Sequence, residues 1–430
     1  MQFPKYVGVL ALAGAAVLGP ASVASAVSMP AGVTTHNAAD VGLFGASDPT
    51  YDGAFRQSLG ILAEVAAGVH DTAAITWLVK QQCADGGWTA YRADLTTPCP
   101  ATDLNTFTGE DSNSTALAMQ ALHAAGVTPT HDPLPFLHGL QDSDGGFSYI
   151  AGSGTDPNST AVALQALAAV GEDATSVTWT VSGHTAVDAL MSSWLNCGSA
   201  DPGAFSSPYS SGHGDLVAAV QAVWGAEAKS FPFTTTPAAT QPAPDCSGGP
   251  LSPTPAVAGQ YAATWLAGKV QGGGYLSTGS SPDYSLTAQG VLAMAATDTN
   301  KTAIDTVLGY LSANIAQAVL DPHGGLSPGS IGYIALAAHA DGLPVTSFGG
   351  RNLVTLLQST RRALPAVSHV TKKPVTTPVT KPATSVRGSG SVATLPTTGA
   401  QHLDVQAGLA LDAFVVGGLL LLLGRRRRRA

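Results

Sequence analysis

The chain has 430 residues, 45% of them hydrophobic and only 11% charged, enough for one large buried core or two ordinary ones. The formal net charge is −9. With residues 1–26 and 399–430 set aside, 26 acidic residues face 13 basic ones, a balance near −13 that excludes a phosphate-backbone partner, so no nucleic acid is expected.

Residues 1–26 have the parts of a secretory signal peptide. Lys5 gives the charged start, residues 7–18 the apolar stretch, and Ala24-Ser25-Ala26 an A-x-A cleavage site. The mature chain is expected to begin at Val27. Export places four cysteines in an oxidising compartment, which favours two disulfides. Three pairings are open. Proximity favours Cys83 with Cys99 and Cys197 with Cys246, each closing a Pro-rich loop after a helix. There is no C-x-x-C and no His/Cys cluster, so neither a metal nor any other cofactor is expected.

Residues 27–49 are small and polar and read as an extended arm. From Asp52 the helical period takes over. It predicts helices at 53–67, 71–82, 113–125, 132–140, 158–170, 184–196, 214–227, 256–269, 283–297, 301–316, 329–341 and 348–362. Strand signals are weak. Some of these segments, such as 114–125, 159–170 and 286–296, are apolar on nearly every face and must be buried all round. Others, such as 72–82, keep a polar side. That alternation predicts an all-α fold over residues 50–362: two concentric layers, an α/α toroid of about six helix pairs. Residues 232–255, rich in Pro and Thr, interrupt the pattern and read as a surface loop tied down by Cys246.

One unit occurs twice. Gln82-Cys-Ala-Asp85-Gly86-Gly87-Trp88 precedes an Asp-capped helix with Asn113-Ser114-Thr115, and Gln141-Asp-Ser-Asp144-Gly145-Gly146-Phe147 precedes another with Asn158-Ser159-Thr160. Weaker copies begin near Gly203, Gly272 and His323. The glycine pairs permit a tight turn with positive φ. Asp85 and Asp144 can accept N–H bonds in it, Gln82 and Gln141 can bond carbonyls freed at the helix end, and Trp88 and Phe147 can pack between pairs. Gln120, Gln165 and Gln221 occupy matching positions in three apolar helices and are possible lumen contacts for a polar ligand. His213-Gly-Asp215, His70-Asp71 and His131-Asp132 read as turn and cap signals.

The Gln-x-x-Asp-Gly-Gly-Trp/Phe unit resembles the repeat of squalene–hopene cyclases and protein prenyltransferase β-subunits, across about residues 50–362 and most specifically 71–171. The resemblance implies an α/α toroid. It does not bring catalysis with it. The Asp-x-Asp-Asp acid of the cyclases is absent, since Asp142-Ser-Asp144-Gly145 lacks the last carboxylate. No Asp-Asp-x-x-Asp cluster, no prenyltransferase zinc motif, no Cys-Gly-Glu-Gln thioester and no G-x-S-x-G elbow occurs. Cobalamin carriers share the toroid but add a β-domain where this chain has a spacer. Were the ring an enzyme of cyclase-like or glycan-processing type, its candidate acids would be Asp85, Asp111, Asp144 and Asp156.

Residues 363–394 are a Thr/Pro-rich linker that cannot bury a core, expected to be disordered and to span the wall. Leu395-Pro396-Thr397-Thr398-Gly399 follows, then an apolar segment at 405–424 and Arg425–Arg429. This order resembles the LPxTG sorting signal of Gram-positive surface proteins. It implies a transmembrane intermediate with its Arg tail inside, cleavage of the Thr–Gly bond by a sortase, and peptidoglycan attachment through Thr398. Asp412 interrupts the apolar segment, at a cost of about 2.5–3.5 kcal/mol for a carboxylate at the helix centre. The expectation is therefore a secreted, wall-anchored, non-catalytic toroid for binding or display. Its partners would be a sortase, the peptidoglycan, the membrane before cleavage, and a ligand the sequence does not identify. A degenerate toroid enzyme and a cobalamin-type carrier are the alternatives.

Overall fold

The computed structural model describes residues 40–238 and 243–363. The expected signal peptide, the expected arm up to Ala39, the expected linker from residue 364, the expected sorting signal and the apolar segment at 405–424 lie outside the described residues.

In chain order the helices are α1 (Gly53–Ala66), α2 (Thr72–Gln81), α3 (Ser112–Ala124), α4 (Leu134–His138), α5 (Pro157–Val170), α6 (Ala186–Ser192), α7 (Leu216–Ala226), α8 (Pro255–Lys269), α9 (Tyr284–Ala296), α10 (Lys301–Ala313), α11 (Ile315–Ala318), α12 (Pro328–Ala340) and α13 (Leu353–Ser359). Six of them start on a polar residue and then run through small apolar side chains. Asp111, Asp156, Asp215, Asp283 and Ser327 each accept a backbone N–H from the first turn of α3, α5, α7, α9 and α12. That satisfies donors the helix cannot pair itself. In α1 the capping Asp52 turns instead to the Arg56 guanidinium, at 2.9 Å.

These six helices pack in the order α1, α3, α5, α7, α9, α12 and back to α1, which closes an inner ring. The outer layer is α2, α4, α6, α8, α10 with α11, and α13. Small residues set the ring's tightness. A Cβ on Gly225 of α7 would stand 2.7 Å from the Ala161 Cα of α5, and one on Gly332 of α12 would stand 3.0 Å from Leu59 Cβ of α1. The ends of the domain clasp each other beside α1. Phe44 pairs with Arg361 as a strand bridge, and the buried Arg362 guanidinium meets Asp40 at 2.9 Å.

The outer layer is shorter than its periodicity predicts. Helix α4 has only five residues, starting after Pro133, with Pro135 in its first turn where no N–H is required, and ending at Gly139. The predicted 301–316 helix breaks at Asn314, and 348–362 shrinks to α13. Ahead of α6 the chain makes a 3-10 turn, Val177–Trp179, and a two-residue hairpin, β1 (Thr180–Val181) with β2 (His184–Thr185). No helix among the described residues is long and apolar enough to cross a membrane.

The inside of the ring is filled. Trp224 of α7 lies edge-on to Phe231 at 5.2 Å and stacks with Tyr333 of α12 at 6.3 Å. Phe231 belongs to a strap, residues 229–238, that leaves α7 and crosses the C-terminal ends of the inner helices. Lys229 C=O accepts from Gln165 of α5, and Phe231 N–H donates to Gln120 of α3. Thr235 N–H then donates to Ala340 C=O of α12, and Ala238 N–H to Asp298 C=O just past α9. The expected surface loop thus begins as a closure of the ring. Its later part is tied to the end of α6 by the Cys197–Cys246 disulfide and by paired bonds between Asn196 and Leu251, both 2.7 Å.

Candidate functional site

The two repeat turns are built alike. Gly86 and Gly145 have φ of +102° and +86°, while Gly87 and Gly146 do not need positive φ. Instead their bare Cα atoms make room: a Cβ would meet the Phe136 ring at 2.8 Å in the first turn and Thr155 Cγ2 at 2.3 Å in the second. Asp85 accepts the Gly87 N–H at 3.3 Å and Asp144 the Gly146 N–H at 3.1 Å. The glutamines do not bond the freed carbonyls of their own helix ends. Gln82 Nε2 donates to Gly86 C=O and to His131 C=O, and its Oε1 accepts from His131 N–H. Gln141 Nε2 donates to Gly145 C=O and to Trp179 C=O. Each glutamine therefore ties its turn to the approach of the next outer helix. Trp88 and Phe147 are fully buried, and the Trp88 indole donates to Leu78 C=O at 2.9 Å.

One partner was missed in the sequence although its signal was there. Thr115 and Thr160, four residues after their caps, accept the N–H of Trp88 and of Phe147, both at 2.9 Å. Thr287 does the same for Leu276 N–H at 3.0 Å. The repeated Asn-Ser-Thr could have pointed to it.

The two turns differ in what stands beside the aspartate. Beside Asp144 stands Thr155, whose hydroxyl donates to that carboxylate at 2.6 Å. The corresponding neighbour of Asp85 is Glu110. Burial, and then the adjacent Asp85 carboxyl, push Glu110 up to about 8. A Glu110 carboxylate oxygen also approaches the sulfurs of Cys83 and Cys99, all within 4.8 Å. Those sulfurs are bonded to each other, so they offer no thiolate to a metal.

Of the four candidate acids, Asp85 and Asp144 serve turns, while Asp111 and Asp156 cap helices through the Ser114 and Ser159 N–H groups. They occupy four separate structural positions. Burial pushes Asp111 up to about 7 and raises Asp156, with a smaller contribution from nearby Asp215.

The three inner glutamines are all buried. Gln120 and Gln165 stand nine residues after their caps and grip the strap. Gln221 stands six after its cap, in the register of Gln289 and Tyr333, so it does not match the other two. The reason is that α7 is shorter than α3 and α5. Among the described residues, Gln120 Nε2, Gln165 Oε1 and both amide atoms of Gln221 are buried with no hydrogen-bond partner.

The opposite end of the ring is chemically distinct. Ala54 N–H bonds Ala90 C=O, and Ser112 N–H bonds Tyr149 C=O, so the loops before α3 and α5 sit on the starts of α1 and α3. These loops read Ser-Tyr-Ile-Ala-Gly-Ser-Gly-Thr at 148–155, Ser-Ser-Pro-Tyr-Ser-Ser-Gly-His-Gly at 206–214, and Ser-Thr-Gly-Ser-Ser-Pro at 277–282 before Tyr284. Tyr51 and Tyr209 are exposed at this end. Tyrosine among Ser and Gly gives large contact area at little entropic cost, with adaptable hydrogen bonding around it.

No family model matches the chain, and no curated protein matches it. Among solved structures it is similar to an ent-copalyl diphosphate synthase from Streptomyces platensis, at 18% identity and a TM-score of 0.44 over 67% of this chain and 50% of that one. This chain thus spans about half of that enzyme's length. It is also similar to a protein from Actinoplanes, at 14% identity and a TM-score of 0.43 over 66% of this chain and 89% of that one. A third is the type II terpene cyclase MstE from Scytonema, at 12% and 0.37 over 63% and 72%. The ring itself is defined by the helix packing given above.

Proposed function

We propose that this chain is an exported surface protein, joined to peptidoglycan through Thr398 by a sortase, whose toroid recognises a ligand and catalyses nothing. The observation that carries this is the three-part order at its C-terminus: Leu395–Gly399, the apolar segment, and the Arg tail. Two features of the ring support recognition over turnover. Its interior is occupied by Trp224, Phe231 and Tyr333 and spanned by the strap, and its four candidate acids serve turns and caps. The Tyr/Ser/Gly loops at the N-terminal ends of the inner helices supply the recognition surface. Mass spectrometry of the native protein released from the wall is the test. The expected product ends at Thr398 in amide linkage to a wall peptide. A chain still carrying residues 399–430 would overturn the anchoring.

A further inference from the structure

At the N-terminal end of the ring a cavity of about 560 Å³ opens between the loop 277–282, the first turn of α9 and the connection from α11 to α12. Small-molecule sites span roughly 300–1,000 Å³. Its wall combines apolar surface, from Tyr284 and the exposed Leu320, with an exposed amide, Gln317, whose side chain makes no hydrogen bond among the described residues. Ser285 and Ser330 also line it, and are 8% and 6% exposed. Ser285 accepts from Gln289 Nε2 at 3.4 Å, and Ser330 from Ser327 at 3.0 Å. Among the described residues the Ser285 hydroxyl has no acceptor for its own proton, while Ser330 has the Ser327 hydroxyl oxygen within reach. Ser285 is thus a buried donor that lines the cavity, and buried donors need partners.

The lining also says what does not belong there. It contains no Lys, Arg or His, and it contains Asp283 and Asp321, so it repels an anion. The two carboxylates do not form a cation cage either. Asp283 is held by the Leu286 N–H, and Asp321 by the His323 and Gly325 N–H groups. What fits is a neutral molecule with many hydroxyls and one apolar face. Tyr284 is a firm platform for that face, because it stacks on Tyr310 at 6.1 Å, which in turn leans on Tyr275 at 5.3 Å.

We propose that this cavity is a binding site for a neutral saccharide, with Tyr284 against the sugar ring and Gln317, Ser285 and Ser330 on its hydroxyls. The proposal deepens the recognition reading and rests on it. Its test is the full chain on an array of neutral hexose and N-acetylhexosamine oligosaccharides beside sialylated and phosphorylated ones, followed by titration of the best binder. Neutral glycans should bind, and Gln317→Ala and Tyr284→Ala should each weaken the best one at least tenfold. Gln317 is exposed, so its variant keeps the parent's thermal unfolding even if the Tyr284 variant does not. A blank array, a preference for the anionic glycans, or neutral binding that Gln317→Ala leaves unchanged would each overturn the site. A blank array with a wall-linked Thr398 defeats the saccharide alone; binding by a chain that keeps residues 399–430 defeats the anchoring alone.

Discussion

The first and second repeat turns share their glycines, their aspartate, their glutamine tie and their threonine under the aromatic N–H, yet they differ in charge. The second gives Asp144 a hydrogen bond from the Thr155 hydroxyl. The first sets Glu110 beside Asp85, and burial and then that neighbouring carboxyl push Glu110 up to about 8. The first turn also carries the Cys83–Cys99 disulfide, which the second lacks. The two turns therefore share their backbone fasteners and differ in the side chain beside the aspartate and in the covalent link.

The largest test of that comparison removes the link. Replacing both Cys83 and Cys99 by Ala should cost about 3 kcal/mol in urea unfolding, the scale for a loop of this length. If the loss is negligible, the covalent link does not add to the stability of the first turn.

The next test asks whether the shared fastener counts equally in both copies. Thr115→Val and Thr160→Val each leave one buried N–H without an acceptor and should each cost about 2 kcal/mol. Unequal losses beyond about 1 kcal/mol would mean the two turns are not equivalent units.

The smallest effect is the most specific. An acid with a raised folded pKa holds its proton more tightly when folded. Its stability is therefore full below about pH 4.5 and is lost as pH rises toward 8. Glu110→Thr copies the second turn and should retain about 1 kcal/mol more than the parent at pH 9, a figure reduced for solvent screening of a half-buried group. Thr155→Glu should import the same loss into the second turn. Glu64, Asp111 and Glu227, each pushed up to about 7 by burial, give both proteins a common background slope. Thermal melts at pH 5 and pH 9 on all three proteins read the difference. Parallel slopes would sink the account of the Asp85 and Glu110 pair.

Much of the ring was legible in the sequence because its signals are local. The 3.6-residue period, the polar residue at the start of each inner helix and the Gly-Gly turns all act within one or two turns of chain. The helix positions at 53–66, 157–170 and 255–269 follow from them nearly to the residue. Several outer helices were less legible, because α4 ends early at Gly139 and the 301–316 helix breaks at Asn314, which periodicity does not mark. The candidate glutamines were found by type but not by use. Their partners are the strap residues Lys229 and Phe231, far along the chain, and no spacing encodes such a contact.

The sequence by itself determined the repeat, the all-α character, the cap residues and the three-part C-terminal order, because each is written in neighbouring residues. Only the tertiary structure decided that the Pro/Thr-rich excursion begins as a strap across the ring. The same holds for which group faces each turn aspartate, and for the gathering of Tyr284, Gln317, Ser285 and Ser330 around one cavity. Those outcomes depend on groups brought together by closing the ring. The free energy of burying or pairing them depends on that closure, not on their distance along the chain.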